Sequence, residues 1–205
     1  MNETVEKVAS HRDYAGAKLG MWLFLLTELG LFFGPLLLYV MHDIRHPEAF
    51  HAASQSLDKT IGFANTLILL TSSLTAALSV ASIRRGKTEL TLIFIFVTIT
   101  LGGIFLVNKY LEWTGKIAHG IYPGGDAFAE LPPGEAVFYG LYFFTTGLHG
   151  LHVIAGMIVL AVTATLTAGG IVNKRDFVKL ENAALYWHLV DIIWIFLFPF
   201  FYLIS

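Results

Sequence analysis

Five long apolar segments divide this sequence, and they limit what the chain can fold into. Each is near or above the roughly 20 residues that an α-helix needs to cross a bilayer. They lack the polar alternation of a barrel strand, and only helices or closed barrels satisfy their backbone groups in lipid. The sequence therefore predicts an all-α membrane protein with five transmembrane helices, near residues 19–40, 61–83, 90–112, 136–168 and 183–204.

Composition supports this prediction and excludes several classes of protein. The chain is 56% hydrophobic and only 14% charged, which is far from the balance of a soluble domain. Its net charge of −2 includes no basic block, so no nucleic-acid partner is expected. Cysteine is absent, which excludes disulfides, thiolate-ligated iron–sulfur clusters and covalently attached haem. Because neither an internal repeat nor a removable signal peptide is recognisable, residues 1–205 are expected to form one membrane domain.

The distribution of Lys and Arg predicts the orientation of the helices. Cytoplasmic loops of membrane proteins are enriched in these residues, and nine of the 13 fall on one side of the predicted bundle. We therefore expect a cytoplasmic N-terminus and a periplasmic C-terminus. The Gly- and Pro-rich outer connection at residues 120–135 is expected to be irregular. The nine are Lys7, Arg12, Lys18, Arg84, Arg85, Lys87, Lys174, Arg175 and Lys179, and the other four are Arg45, Lys59, Lys109 and Lys116.

Polar residues inside the apolar segments are costly unless they are paired or face other helices. At about 100° per residue they form one stripe on each of three predicted helices. These stripes are expected to face other protein. They comprise Asn65, Ser72 and Ser79 in the second segment; Thr145, His149, His152, Gly156 and Thr163 in the fourth; and Glu181, Ala184, His188 and Asp191 in the fifth.

The first segment carries a single acid, Glu28, among Phe, Leu and Gly residues. An acid within the membrane is a functional candidate by default. We expect the carboxyl group to be neutral unless a basic group of another helix, such as His188, holds it ionised. Gly30 and Gly34 have the GxxxG spacing that allows close helix packing, and Pro35 is expected to kink the helix.

Four interpretations of the intramembrane polar residues remain open from residue types alone. Haem ligation needs two histidines at matching depth on different helices, whereas His149 and His152 share one helix. Proton or ion transport could use the acids as a relay, although broken helices and repeated halves are not visible. Hydrogen bonding between helices is the structural alternative. A zinc or non-haem iron site could be formed by His149, His152, His188 and Asp191.

Longer motifs connect the chain to a known family. The fourth and fifth segments read FFTTGLHGLHVIAGMIV and ENAALYWHLVDIIWIFLFPFFYL. They resemble the last two helices of the cytochrome c oxidase subunit III family, the third subunit of haem–copper terminal oxidases. Further similarities follow in order along nearly the whole chain, in WLFLLTELGLFFGPLLLYV, FANTLILLTSS and ITLGGIFLVNKYLEW.

The chain departs from the larger members of that family in one respect. Those members have seven helices, and this sequence begins at the segment that resembles their third, as in the shorter bacterial five-helix forms. The lipid-filled cleft of the larger forms lies between their first two helices and the other five. Here its second wall would come from another subunit or be absent.

The resemblance implies an accessory subunit in the bacterial cytoplasmic (inner) membrane. Such a subunit holds no haem, copper or other metal, packs on the catalytic subunit I, binds phospholipid and sustains proton uptake and turnover. Glu28 would be the family's buried acid, with a role in supporting proton uptake. Cytochrome c is the expected electron donor; a quinol oxidase or nitric oxide reductase component, or a free-standing proton or ion carrier, is the alternative. The residues with an expected role in packing between helices are Asn65, Glu112, His149, His152, His188 and Asp191.

Overall fold

The computed structural model of this chain describes residues 14–204, and it confirms the prediction of an all-α membrane protein. Lys7 and Arg12 lie outside the described residues. Within them, five helices are long and apolar enough to cross a membrane. The helices are α1 (Tyr14–Arg45), α2 (Pro47–Gln55), α3 (Lys59–Arg84), α4 (Thr88–Ala118), α5 (Asp126–Ala129), α6 (Pro133–Ala168) and α7 (Val178–Pro199), and a π-helical turn, Phe200–Ile204, follows α7.

Helix α7 occupies the centre of the bundle. It packs on α1, α3 and α6, while α4 closes the far side by packing on α3 and α6. The indole of Trp187 is fully buried and is inserted between α4 and α6. It fits because glycines lie opposite the ring: a Cβ atom on Gly102 or Gly156 would come within 2.6 or 2.8 Å of it.

The connections on the predicted outer side contain helices that the sequence analysis did not predict. Residues 120–135 were expected to be irregular, which is wrong for Asp126–Ala129, where the short helix α5 forms. Helix α2 begins at Pro47, since proline has no amide hydrogen to lose at a first helical position. The following spanning helix is capped by Asp58, whose carboxylate accepts hydrogen bonds from the amides of Thr60 and Ile61 at 2.9 and 3.1 Å.

Two ion pairs join basic residues of α1 and α3 to the start of α7 at one end of the bundle. The carboxylate of Glu181, at the start of α7, forms ion pairs with Lys18 of α1 at 3.1 Å and with Arg84 of α3 at 2.8 Å. Lys109, counted with the opposite side in the sequence analysis, is only 7% exposed and is therefore not a surface charge. Its ammonium group is paired with Glu112 inside the bundle.

Candidate functional site

Glu28 of α1 and His152 of α6 are joined by a hydrogen bond between two spanning helices. The Oε2 atom of Glu28 lies 2.8 Å from Nε2 of His152, and the side chains are 15% and 14% exposed. The ring of Phe32 packs edge-on against the imidazole at 5.1 Å. The suggestion that His188 could be the partner of Glu28 is therefore wrong. Both side chains of the pair lie at the margin of the bundle.

The hydrogen bonds of His152 define what this pair can do chemically. Its Nδ1 atom lies 2.7 Å from the carbonyl oxygen of Leu148, and a carbonyl can only accept, so Nδ1 carries a hydrogen. The 2.8 Å contact between Nε2 and Glu28 then contains one further proton. That proton lies either on the carboxyl group, which gives a neutral pair, or on the imidazole, which gives an ion pair. One proton is therefore shared between a carboxyl group and an imidazole at this site.

His149 lies three residues before His152 but contacts different helices. It is fully buried between the ring of Phe105 in α4, at 5.4 Å, and that of Trp194 in α7, at 5.3 Å. Neither ring nitrogen has a hydrogen-bond partner among residues 14–204. The two histidines therefore do not share one site.

Polar groups of α3 bind the central helix α7 and the neighbouring α4. The amide of Asn108 donates to the Oδ1 atom of Asn65 at 2.8 Å. The indole of Trp187 donates to Ser72 at 3.0 Å. The Oγ atom of Ser73 lies 2.6 Å from Nδ1 of His188. These contacts place the polar stripe of the second sequence segment, with Asn65 and Ser72 fully buried, against two other helices.

Asp191, one turn after His188 on α7, is 2% exposed. Neither of its carboxylate oxygens has a hydrogen-bond partner within the described part of the chain. An ionised carboxylate without a partner is strongly disfavoured in such a setting. The residue is therefore expected to be neutral in the folded bundle.

The sequence analysis missed a buried cluster around Lys109. Its ammonium nitrogen lies 2.9 Å from Glu112, 2.8 Å from the hydroxyl of Tyr142 and 3.1 Å from that of Tyr202. Tyr202 in the π-helical turn donates to the other oxygen of Glu112 at 2.6 Å. Lys109 and Glu112 have the i,i+3 spacing of helical ion pairs, which was the available signal. Nothing in that spacing distinguishes a buried pair from an exposed one.

The four residues considered as metal ligands do not converge on one site, although Asp191 lies one turn from His188 on α7. His149 packs between aromatic rings, His152 binds Glu28, and His188 binds Ser73. Across residues 14–204, no group of three or more His, Asp or Glu side chains is placed to hold a metal ion.

Comparison with known proteins gives the family. The profile for cytochrome c oxidase subunit III matches residues 4–205. The chain is 31% identical over 191 residues to a probable quinol oxidase subunit 3 of Staphylococcus saprophyticus, covering 92% of this chain and 89% of that protein. It is 31% identical over 201 residues to cytochrome c oxidase subunit 3 of Rhipicephalus sanguineus, covering 94% and 72%.

A third relative joins two subunits in one polypeptide. The heme-copper oxidase subunit I+III of Aeropyrum pernix is 29% identical over 192 residues, which cover 90% of this chain and 22% of that protein. The relatives are thus third subunits of haem–copper oxidases, including quinol oxidases. The chain belongs to the cytochrome c oxidase subunit III family.

Proposed function

We propose that this chain is the accessory subunit III of a bacterial haem–copper terminal oxidase in the cytoplasmic membrane. It packs on subunit I, binds phospholipid and supports proton uptake and sustained turnover, while partner subunits hold the haem and copper and reduce oxygen. The match of the family profile to residues 4–205 carries this proposal. The fused subunit I+III relative supports the contact with subunit I, because fusion keeps two chains adjacent.

The Glu28–His152 pair supports the proposed role in proton uptake. It contains one proton shared between the two side chains and lies at the margin of the bundle. A group of this kind can exchange a proton with a neighbouring subunit without any metal. Glu28 and His152 are therefore the residues of this chain that we assign to proton handling. Asn65, Glu112, His149, His188 and Asp191 are assigned to packing between helices.

Purification of the chain from its native membrane tests the proposal. An affinity tag on this subunit should isolate a complex that contains haem, copper and subunit I, and that complex should consume oxygen. A haem-free chain that alone transports protons or ions in vesicles would support the carrier alternative instead.

The electron donor is a separate part of the proposal. We propose cytochrome c as the donor, and the Staphylococcus saprophyticus relative, named a probable quinol oxidase subunit, favours quinol as the second candidate. Oxygen consumption by the purified complex should be measured with reduced cytochrome c and with a quinol. A rate with quinol alone would replace the first assignment by the second.

A further inference from the structure

Helix α1 contacts the rest of the bundle along a narrow stripe. Among its described side chains only Leu25, Phe32 and Tyr39 are buried, and they are spaced seven residues apart. Seven residues make about two turns of an α-helix, so the three side chains share one face. Glu28 lies on the same face, between Leu25 and Phe32. The stripe that anchors α1 therefore also carries the acid of the Glu28–His152 pair.

The imidazole of His152 is held by two hydrogen bonds and by a neighbouring ring. Its nitrogen atoms lie 2.7 Å from the carbonyl oxygen of Leu148 and 2.8 Å from Oε2 of Glu28. The ring of Phe32, which is only 2% exposed, lies 5.1 Å from the imidazole between ring centroids, at an interplanar angle of 68°. Edge-to-face rings at this separation are in contact. A turn of the imidazole about its Cβ–Cγ bond would therefore have to displace Phe32.

Other groups near His152 do not restrain its ring in this way. The hydroxyl of Tyr186 lies 3.5 Å from the backbone carbonyl oxygen of His152 and not against the imidazole. His149, on the same helix, packs between Phe105 and Trp194. Within residues 14–204, the aromatic ring packed on the imidazole of His152 is thus that of Phe32.

We propose that Phe32 is a positioning residue that holds the imidazole of His152 with Nε2 directed at Glu28. Glu28 and Phe32 project from the same face of α1, so the helix that supplies the acid also orients the imidazole that the acid meets. Removal of the phenyl ring lets the imidazole turn, and Nε2 then spends part of its time away from the carboxyl group. The shared proton loses its second site in those orientations. This inference rests on the proposed role of the pair in proton uptake and adds a residue to it.

Two variants without the ring and a matched control test the proposal in the purified oxidase complex. Phe32→Leu and Phe32→Met keep an apolar side chain but remove the ring. Leu25→Ala is the control, because it removes buried packing from the same stripe about two turns from Phe32. Each variant is also combined with Glu28→Gln, which cannot exchange the proton. Proton uptake is followed with a pH-indicator dye. The infrared bands of the Glu28 side chain are identified by their loss in Glu28→Gln.

We expect Phe32→Leu and Phe32→Met to slow proton uptake roughly fourfold, because two helical χ1 rotamers and two ring orientations then share the population of one. The slowing should be absent when Glu28→Gln is already present. The infrared bands of Glu28 should shift in both variants that lack the ring, whereas Leu25→Ala should leave them in place.

Unshifted bands in both variants that lack the ring, or the same shift in Leu25→Ala, would overturn the proposal. Loss of the complex from both of these variants, while Leu25→Ala assembles, would make Phe32 a packing residue and would also overturn it. Shifted bands together with native proton uptake in Glu28→Gln would support the positioning role of Phe32 and would refute the proposed role of the pair in proton uptake.

Discussion

The Glu28–His152 contact has two possible roles, hydrogen bonding and protonation, and experiments can separate them. Glu28→Gln retains a donor for Nε2 of His152 at 2.8 Å but cannot gain or lose the proton. We expect this variant to assemble, keep its haem spectrum and reduce oxygen, with a lower proton stoichiometry or a shorter active lifetime. Oxygen consumption and proton release measured in vesicles report the two effects separately.

Glu28→Leu is the control, because it leaves Nε2 of His152 unpaired and costs about 1–3 kcal/mol of stability. It should lose this subunit from the complex more readily than Glu28→Gln does. If Glu28→Gln abolished oxygen reduction while haem, copper and subunit contacts remained, Glu28 would act in the reaction itself. The accessory role would then be wrong.

Lys109 and Glu112 are expected to depend on each other for stability. Lys109→Met leaves the Glu112 carboxylate, only 5% exposed, beside Tyr202 without its cation, and breaking such a buried pair costs about 3–5 kcal/mol. Replacing both residues, as in Lys109→Met with Glu112→Leu, removes the unpaired charge and should recover most of the loss. Thermal denaturation of the purified complex, monitored by release of this subunit, compares the single and the double variant with the unmodified chain. A double variant no more stable than the single one would contradict the coupling.

At the scale of the helices, close approach between α6 and α7 depends on Gly156. A Cβ atom there would lie 2.8 Å from Cε3 of Trp187, so Gly156→Ala forces the indole to move. Overpacking of this kind costs about 1–3 kcal/mol. Gly140→Ala on the same helix is the matched control, because no atom lies within 4 Å of its added Cβ. We expect Gly156→Ala to release the subunit at a lower temperature than the unmodified chain and Gly140→Ala to release it at the same temperature. Equal release temperatures for the two variants would exclude this packing constraint.

At the scale of the whole molecule, the charge distribution predicts the orientation. With Lys109 buried, the remaining bias is nine to three rather than nine to four, and it favours the same orientation more strongly. A reporter that is active only in the cytoplasm should be active when fused at Lys87 and inactive when fused near Gly125. The reverse pattern would invert the topology and place Arg84 and Arg85 at the periplasmic face.

The sequence predicted the five spanning helices because each apolar segment exceeds a bilayer thickness on its own. It did not predict α2 or α5, since short helices depend on local capping and on packing rather than on long apolar patterns. Glu28 was recognised as a candidate, but its partner depends on the relative depth of α1 and α6, which no pattern within one helix contains. The burial of Lys109 was not predicted for a similar reason: the tyrosines that enclose it come from α6 and the π-helical turn.

The central position of α7 also determines when the bundle can be completed. Of the five spanning helices, α7 is made last by the ribosome, yet Ser72, Ser73 and Thr66 of α3 find their indole and imidazole partners on it. The four earlier helices are therefore in the membrane before these hydroxyls have their partners on α7. The cavity that Trp187 occupies is also empty until α7 is inserted. During that interval the indole and imidazole partners that α7 supplies to these side chains are absent. Maturation of the subunit is expected to be post-translational, and a pause before residue 178 should prolong exposure to membrane proteases.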